Sequence, residues 1–330
     1  MPTIDEAVES FMQHRMLRGV RSGSLVLYRR WLQFWQAWRA QRGLSSELAA
    51  VTVGDLRDFF LYARQEHAPH GHPTKRGLSP GSLDSLWRLL SAFWTYCDGE
   101  GWLTVEQSRF FRSGRIPRPR RPDRIHDTYD AKVLDTMLDA CIGMHHPGQQ
   151  ADPEQEARDQ VILLLLASSG MRIGELESLH DAHVDLVQMQ AQVTGKSGPR
   201  WVFWDERTAT ALRRYLELRS GPPSGPLLRS TWGQRRGRDP LSTSALRAMI
   251  KRVAARAGVR LIPHAPIHGW RATFIQTILD NGASTLDAQQ LAGHESPRTT
   301  QIYAKRAARS LRRVYDRVRP GQDDTGHHQS

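Results

Sequence analysis

The chain has 330 residues, 39% of them hydrophobic and 24% charged, which is length enough for two domains that each bury a core. Lysine and arginine outnumber aspartate and glutamate by 46 to 34, and the resulting net charge of +12, with a pI near 10.3, points to a polyanionic partner, most often nucleic acid. No apolar run reaches membrane-spanning length, no signal sequence opens the chain, and Cys97 and Cys141 supply neither a zinc site nor a disulfide framework, so a reducing cytoplasmic compartment fits.

The N-terminal third reads as a run of helices. TIDE (3–6) is a capping-box pattern that opens the first. SLVLYRRWLQFWQAW (24–38) places Trp31, Phe34, Trp35 and Trp38 at i, i+3, i+4 and i+7, a single helix face. Such a stripe fits a core better than a platform for stacked bases. TVGDLRDFFLYARQ (52–65) repeats the capping box, GSLDSLWRLLSAFWTYC (81–97) predicts a fourth helix, and TVEQSRFF a short fifth. GRIPRPRRPDR (114–124) then packs prolines and arginines into a stretch that predicts neither helix nor core. It reads as an interdomain linker over residues 114–125, either a solvated tether or a strap following a phosphate backbone. Residues 1–113 form a helical domain on this reading.

From residue 126 the pattern is again mostly helical, through DAKVLDTMLDACI (130–142) and PEQEARDQVILLLLAS (153–168), whose VILLLLA run reads as buried helix. VDLVQMQAQVTGKSGPRWVFW (184–204) instead alternates β-favouring residues around a Gly-Lys-Ser-Gly turn, a hairpin signal. Helices resume at RTATALRRYLEL and STSALRAMIKRVAARAG and continue toward the end of the second domain, residues 126–318. The fold class expected is mainly α with a small β-hairpin or sheet, α+β. The tail, 319–330, carries no core-forming pattern.

Several chemistries fail on their spacing. GKS at 195–197 lacks the glycine that a phosphate-binding loop needs five residues earlier, where Gln190 stands. HAPIH (264–268) has no third metal ligand, and Pro266 breaks the helix such a pair requires. No carboxylate cluster suits two magnesium ions. Transfer at a phosphodiester would then need a nucleophile, positive charge around the phosphoryl oxygens and a proton for the leaving oxygen.

Four segments offer those pieces. In SSGMRIGELESL (168–179) a glycine ends one helix and Arg172 opens the next, where backbone N–H groups and the guanidinium could face one anion, steadied by Glu175. Lys196 sits at the hairpin tip, and lysine, unlike arginine, gives up a proton when its surroundings lower its pKa. In HGWRATF (268–274), His268 and Arg271 are i and i+3 on one helix face; Trp270 and Phe274 share another and anchor the helix. A capping or core histidine is the plainer reading of His268. In LAGHESPRTTQIYAK (291–305), His294 follows a helix-ending glycine and Tyr303 lies nine residues on, in a basic, hydroxyl-rich stretch. A phenol attacks only where a concentrated positive field favours its anion.

Taken in order, these segments resemble the tyrosine recombinase (phage integrase) family: an arginine after a glycine, a hairpin lysine, His-x-x-Arg, a histidine after Leu-x-Gly and a tyrosine about nine residues later. Arg172, Lys196, His268, Arg271, His294 and Tyr303 fill all six places. Trp270 and Ala272 stand where the family commonly has leucine and a second histidine, which bears on subfamily. The resemblance spans about residues 126–318, and the N-terminal part looks like the family's core-binding domain. It implies a C-shaped clamp around duplex DNA and site-specific recombination through a 3′-phosphotyrosyl intermediate made by Tyr303. Arg172, Arg271 and His294 would hold the phosphoryl oxygens, Lys196 would protonate the leaving 5′-oxygen, and His268 would assist. No cofactor, ATP or metal is implied.

The partners implied are duplex DNA bearing specific sites and three further protomers, a homo-tetramer on two sites, with or without a second recombinase. A compact Xer-like or mobile-element enzyme on the bacterial nucleoid fits. Arg118, Arg120 and Arg121 of the linker, and Arg200, are candidates for DNA contact. Leu311, Val314, Tyr315 and Val318 form an apolar stripe expected to dock on a neighbouring protomer. The alternatives are a type IB topoisomerase-like nicking–closing enzyme and a non-catalytic architectural DNA protein.

Overall fold

The computed structural model describes residues 1–68, 74, 76–120, 127–143, 152–195, 198–263 and 265–293. The chain divides into two compact units, Met1–Asp123 and Arg124–Ser330. In the first, the described residues form α1 (Ile4–Leu17), α2 (Ser22–Gln41), α3 (Val53–Gln65), α4 (Pro80–Gly99) and the short α5 (Val105–Ser108). The capping boxes are present as expected. Thr3 Oγ1 accepts from the Glu6 amide while the Glu6 carboxylate accepts from the Thr3 amide at 2.8 Å, and Thr52 and Asp55 repeat the exchange. Each cap satisfies amides that the first helical turn leaves unpaired, worth about 1 kcal/mol.

The aromatic stripe of α2 faces inward. Trp35 and Trp38 are fully buried, with Trp31 and Phe34 half-buried beside them. Trp35 meets Trp94 of α4 edge-on at 5.7 Å, and Trp38 meets Phe59 of α3 at 5.3 Å. The stripe is packed as core, as its spacing predicts. The segment after α5 departs from expectation. Ile116 is buried in this same core, its carbonyl accepts from Trp87 Nε1 at 3.0 Å, and the Arg115 carbonyl accepts from Arg57. Its one apolar residue among the prolines ties the start of the segment to the core, where a stretch that buries no core was expected.

The second unit is built around α7 (Pro153–Ser169), with α6 (Ala131–Cys141) packed along it. From Val161 to Leu166 every residue of α7 is buried, so the helix is enclosed on all sides. Its polar N-terminal half is paired: Glu154 with Ser220 and Arg236, and Arg158 with Asp159 and Thr231. Gly170, at φ 60°, ends α7, and α8 (Ile173–Glu177) follows after two residues.

The sheet is β1 (Val184–Asp185), β2 (Gln190–Gly195) and β3 (Gly198–Phe203), antiparallel in that order, with Gly195 opposite Gly198 at the tip. Then come α9 (Glu206–Leu218) and α10 (Thr243–Arg256), and finally α11 (His268–Asp280) and α12 (Thr285–Ala292). α11 lies between two apolar clusters. Trp270 joins the main core, whereas Phe274 packs with a smaller one made by Ile275, Leu279, Ala288 and Ala292. The two aromatics, four residues apart on α11, thus pack against different clusters.

Cys97 and Cys141 are each buried, and burial pushes both thiols up to about 12. Among the described residues no helix is long and apolar enough to cross a membrane.

Because α7 has no exposed face over its apolar stretch, Leu165→Ala should cost the second unit about 2–5 kcal/mol. A lowered urea midpoint followed through Trp204 or Trp270 fluorescence checks this; an unchanged midpoint contradicts the central place of α7.

Candidate active site

The site begins where α7 stops. Gly170 takes the left-handed conformation, Met171 is buried, and Arg172 becomes the N-cap of α8. The Arg172 amide donates to Glu175 Oε2 at 2.9 Å, and its Nη1 donates to Glu175 Oε1 at 2.8 Å. The anion that the helix start and guanidinium face together is thus an internal carboxylate. The capping position of Glu175, three residues on, brings it there ahead of any outside ligand.

Glu175 is only 3% exposed, and its second oxygen also accepts from Arg200 Nη2 at 2.8 Å. Burial alone would raise this carboxyl. The Arg172 amide, the charge and hydrogen bond of Arg200 and the hydrogen bond from the Arg172 guanidinium outweigh burial and hold it below the usual carboxylate range.

The same guanidiniums meet the end of α12. Gly293, at φ 60°, closes that helix in a left-handed cap. Arg200 Nη1 donates to the Leu291 carbonyl at 2.7 Å, Arg271 Nη2 donates to the Ala292 carbonyl, and Arg172 Nη2 donates to the Gly293 carbonyl at 2.7 Å. Three consecutive carbonyls are held by three arginines from three different elements. Arg271, 7% exposed, also donates through Nη1 to the Gly170 carbonyl at 2.7 Å, which ties the ends of α7 and α12 together. Among the described residues three guanidiniums and one carboxylate meet here. The cluster borders a cleft of about 280 Å³ lined by Arg172, Arg200, Gly195, Gly198, Gln289 and Gln290. Such an arrangement suits a phosphoryl group, whose oxygens accept the fork geometry of arginine.

Of the six catalytic positions expected, Arg172 and Arg271 converge here. His268 is exposed at the first turn of α11, one turn before Arg271, which excludes a core histidine. Lys196, His294 and Tyr303 lie outside the described residues, as do the apolar stripe from Leu311 and the tail. The residues before the first two are described. An added Cβ on Gly195 would sit 2.7 Å from Glu175 Oε1, and one on Gly293 2.5 Å from Arg200 Cδ, so both stretches of chain leave from the wall of this cluster.

The arginines expected on DNA differ. Arg200 is turned into the site, its side chain 11% exposed and engaged at both ends. Reading the hairpin alternation strictly would have found it, since Arg200 shares a strand face with buried Val202. Arg118 is exposed but paired with Asp84 at 2.7 Å and set over Trp87; its hydrogen bond holds the Asp84 carboxyl low. Arg120 is exposed, and Arg121 lies outside the described residues. Among the described residues no group of His, Cys, Asp or Glu is arranged to hold a metal ion.

Residues 130–309 match the Phage integrase family. The tyrosine recombinase XerC of Pseudomonas entomophila (strain L48) is 31% identical over 325 residues, covering 96% of this chain and 97% of its own. That of Xanthomonas campestris pv. campestris (strain B100) is 28% identical over 315 residues, covering 95% and 88%. A solved structure of the XerH site-specific recombinase bound to palindromic difH substrate, a post-cleavage complex, has a TM-score of 0.66 at 16% identity, covering 91% of this chain and 81% of that one. At that identity the structural likeness is one of fold. The family match covers more than half the chain, the XerC likeness runs almost end to end, and the site is a converging set of arginines. The chain belongs to the phage integrase family and is a tyrosine recombinase.

Proposed function

We propose that this recombinase cuts and rejoins duplex DNA at specific sites through a 3′-phosphotyrosyl intermediate, with Tyr303 as nucleophile. One observation supports the chemistry above all: Arg172 and Arg271, far apart in sequence, donate to adjacent carbonyls at the end of α12. That is one residue before His294 and ten before Tyr303 in the chain. Positive charge fixed at such a place favours the phenolate and the charge that develops on the phosphoryl oxygens.

In this reading Tyr303 attacks the scissile phosphorus, and the 5′-oxygen leaves with a proton from Lys196. Arg172, Arg271 and His294 hold the non-bridging oxygens, and His268 assists by hydrogen bonding or as a base. The phosphodiester energy is kept in the tyrosyl ester, so rejoining needs only the reverse attack by a 5′-hydroxyl. Neither ATP nor a metal takes part. Exchange of strands would engage four protomers on two sites, as the resemblance implies, in the cytoplasm where the DNA lies. The XerC relatives are named recombinases, and XerH is a recombinase bound to its DNA substrate after cleavage, which favours recombination over nicking and closing.

Wild-type protein should form a covalent adduct on a nicked suicide substrate in the presence of EDTA, and Tyr303→Phe should bind that DNA yet form none. An adduct that survives denaturation in the variant would transfer the role to another residue; loss of wild-type cleavage on chelation would remove the metal-free mechanism.

Lys196 is separable from mere charge. Losing a general acid costs typically about 10²–10⁴-fold. A 5′-bridging phosphorothiolate expels sulfur, which needs no proton. It should restore most of the rate in Lys196→Ala and none in Arg172→Ala. Equal rescue of both, or of neither, would show that the hairpin lysine is not the acid.

A further inference from the structure

We infer that Arg200 is a positioning residue for strand cleavage, holding the last turn of α12 against the Arg172–Glu175 pair; this rests on the recombinase chemistry proposed above. Four observations converge on it. Its guanidinium bridges two groups, with Nη1 on the Leu291 carbonyl at 2.7 Å and Nη2 on Glu175 Oε2 at 2.8 Å. Its stem is the surface on which the helix end rests: an added Cβ on Gly293 would lie 2.5 Å from Arg200 Cδ and 2.8 Å from Nε. Its strand pairs it with Val193 of β2, and it follows Lys196 by four residues, so the hairpin that carries the lysine also carries this brace. Its partner Glu175 is shared with Arg172, so the two guanidiniums are set by opposite oxygens of one carboxylate.

One side chain therefore joins the hairpin, the start of α8 and the end of α12. In sequence, Lys196 follows β2, Arg172 opens α8 and His294 follows the cap of α12. A charge on Arg200 alone would not do this. The two acceptors are reached by two nitrogens of a rigid planar fork, whereas a lysine ammonium is a single point that cannot span them with the same geometry. A displacement of about 1 Å in a catalytic group can cost about 100-fold in rate.

The test compares wild type, Arg200→Lys and Arg200→Ala on a nicked half-site substrate, all at a temperature where circular dichroism shows them folded. Half-site affinity and its salt dependence should stay within about threefold of wild type. The single-turnover rate at saturating DNA should fall about 100-fold in both variants, with lysine failing to rescue. In addition, Arg200→Ala should cost little more in a Glu175→Gln background, because the two act as one unit. A direct phosphate contact would instead weaken binding, flatten the salt dependence and be restored by lysine. A merely structural residue would lower the thermal midpoint while each folded molecule cleaved at the wild-type rate. Either result overturns the assignment, and Arg200→Lys keeps it testable if Arg200→Ala does not fold. Absence of any wild-type adduct would instead overturn the recombinase chemistry and the assignment with it.

Discussion

The last carbonyls of α12 have no partner within their own helix, and the helix dipole leaves them partly negative. Three guanidiniums, from the N-cap of α8, from β3 and from α11, donate to three of them in succession. This meeting fixes the site. It satisfies backbone groups that would otherwise be buried and unpaired, and it places positive charge where the chain departs toward His294 and Tyr303. Glu175 sets the orientation. A buried carboxylate with two arginines around it holds both planes, and among the described residues guanidiniums outnumber carboxylates at the cluster.

The fold supplies the precision. α7 is enclosed over its apolar stretch, so its C-terminal end at Gly170 is immobilised, and Arg172 begins two residues later. Arg271 reaches that same end from α11 through the Gly170 carbonyl. α11 is itself held from two sides, by Trp270 in the main core and by Ile275 and Leu279 against α12. Each guanidinium therefore hangs from a packed element, which is the condition for a site that does not reorganise when charge develops. The depressed Glu175 carboxyl fits this role: its stabilising contribution is present above the ordinary carboxylate range and is lost only as the pH falls through the lower folded value. Across neutral pH the Glu175 carboxylate stays ionised.

Much of this was legible in the residues. The helix starts at Thr3 and Thr52, the inward stripe of α2, the hairpin around residues 195–198 and the helix end at Gly293 all follow from local rules, because caps, periodicity and left-handed glycines act over a few residues. The six-residue pattern pointed to the arginine pair for the same reason. What escaped reading depends on distant acceptors. The inward face of Arg200 is legible in the strand alternation, but its acceptors, Glu175 and the Leu291 carbonyl 91 residues away, are not. Ile116 stands among prolines in a stretch that predicts no core, and its burial depends on Trp87 and the α3–α4 core.

On the proposed chemistry, orientation rather than charge density makes the arginine cluster effective, and Glu175→Gln separates the two. The substitution removes a negative charge from the site, so a mechanism driven by charge alone would bind DNA as well or better and cleave as fast or faster. If Glu175 holds Arg172 and Arg200 in register, half-site binding should be kept or tightened while the single-turnover cleavage rate of the folded variant falls about 10–100-fold. A Glu175→Gln protein that cleaves at the wild-type rate would contradict this account.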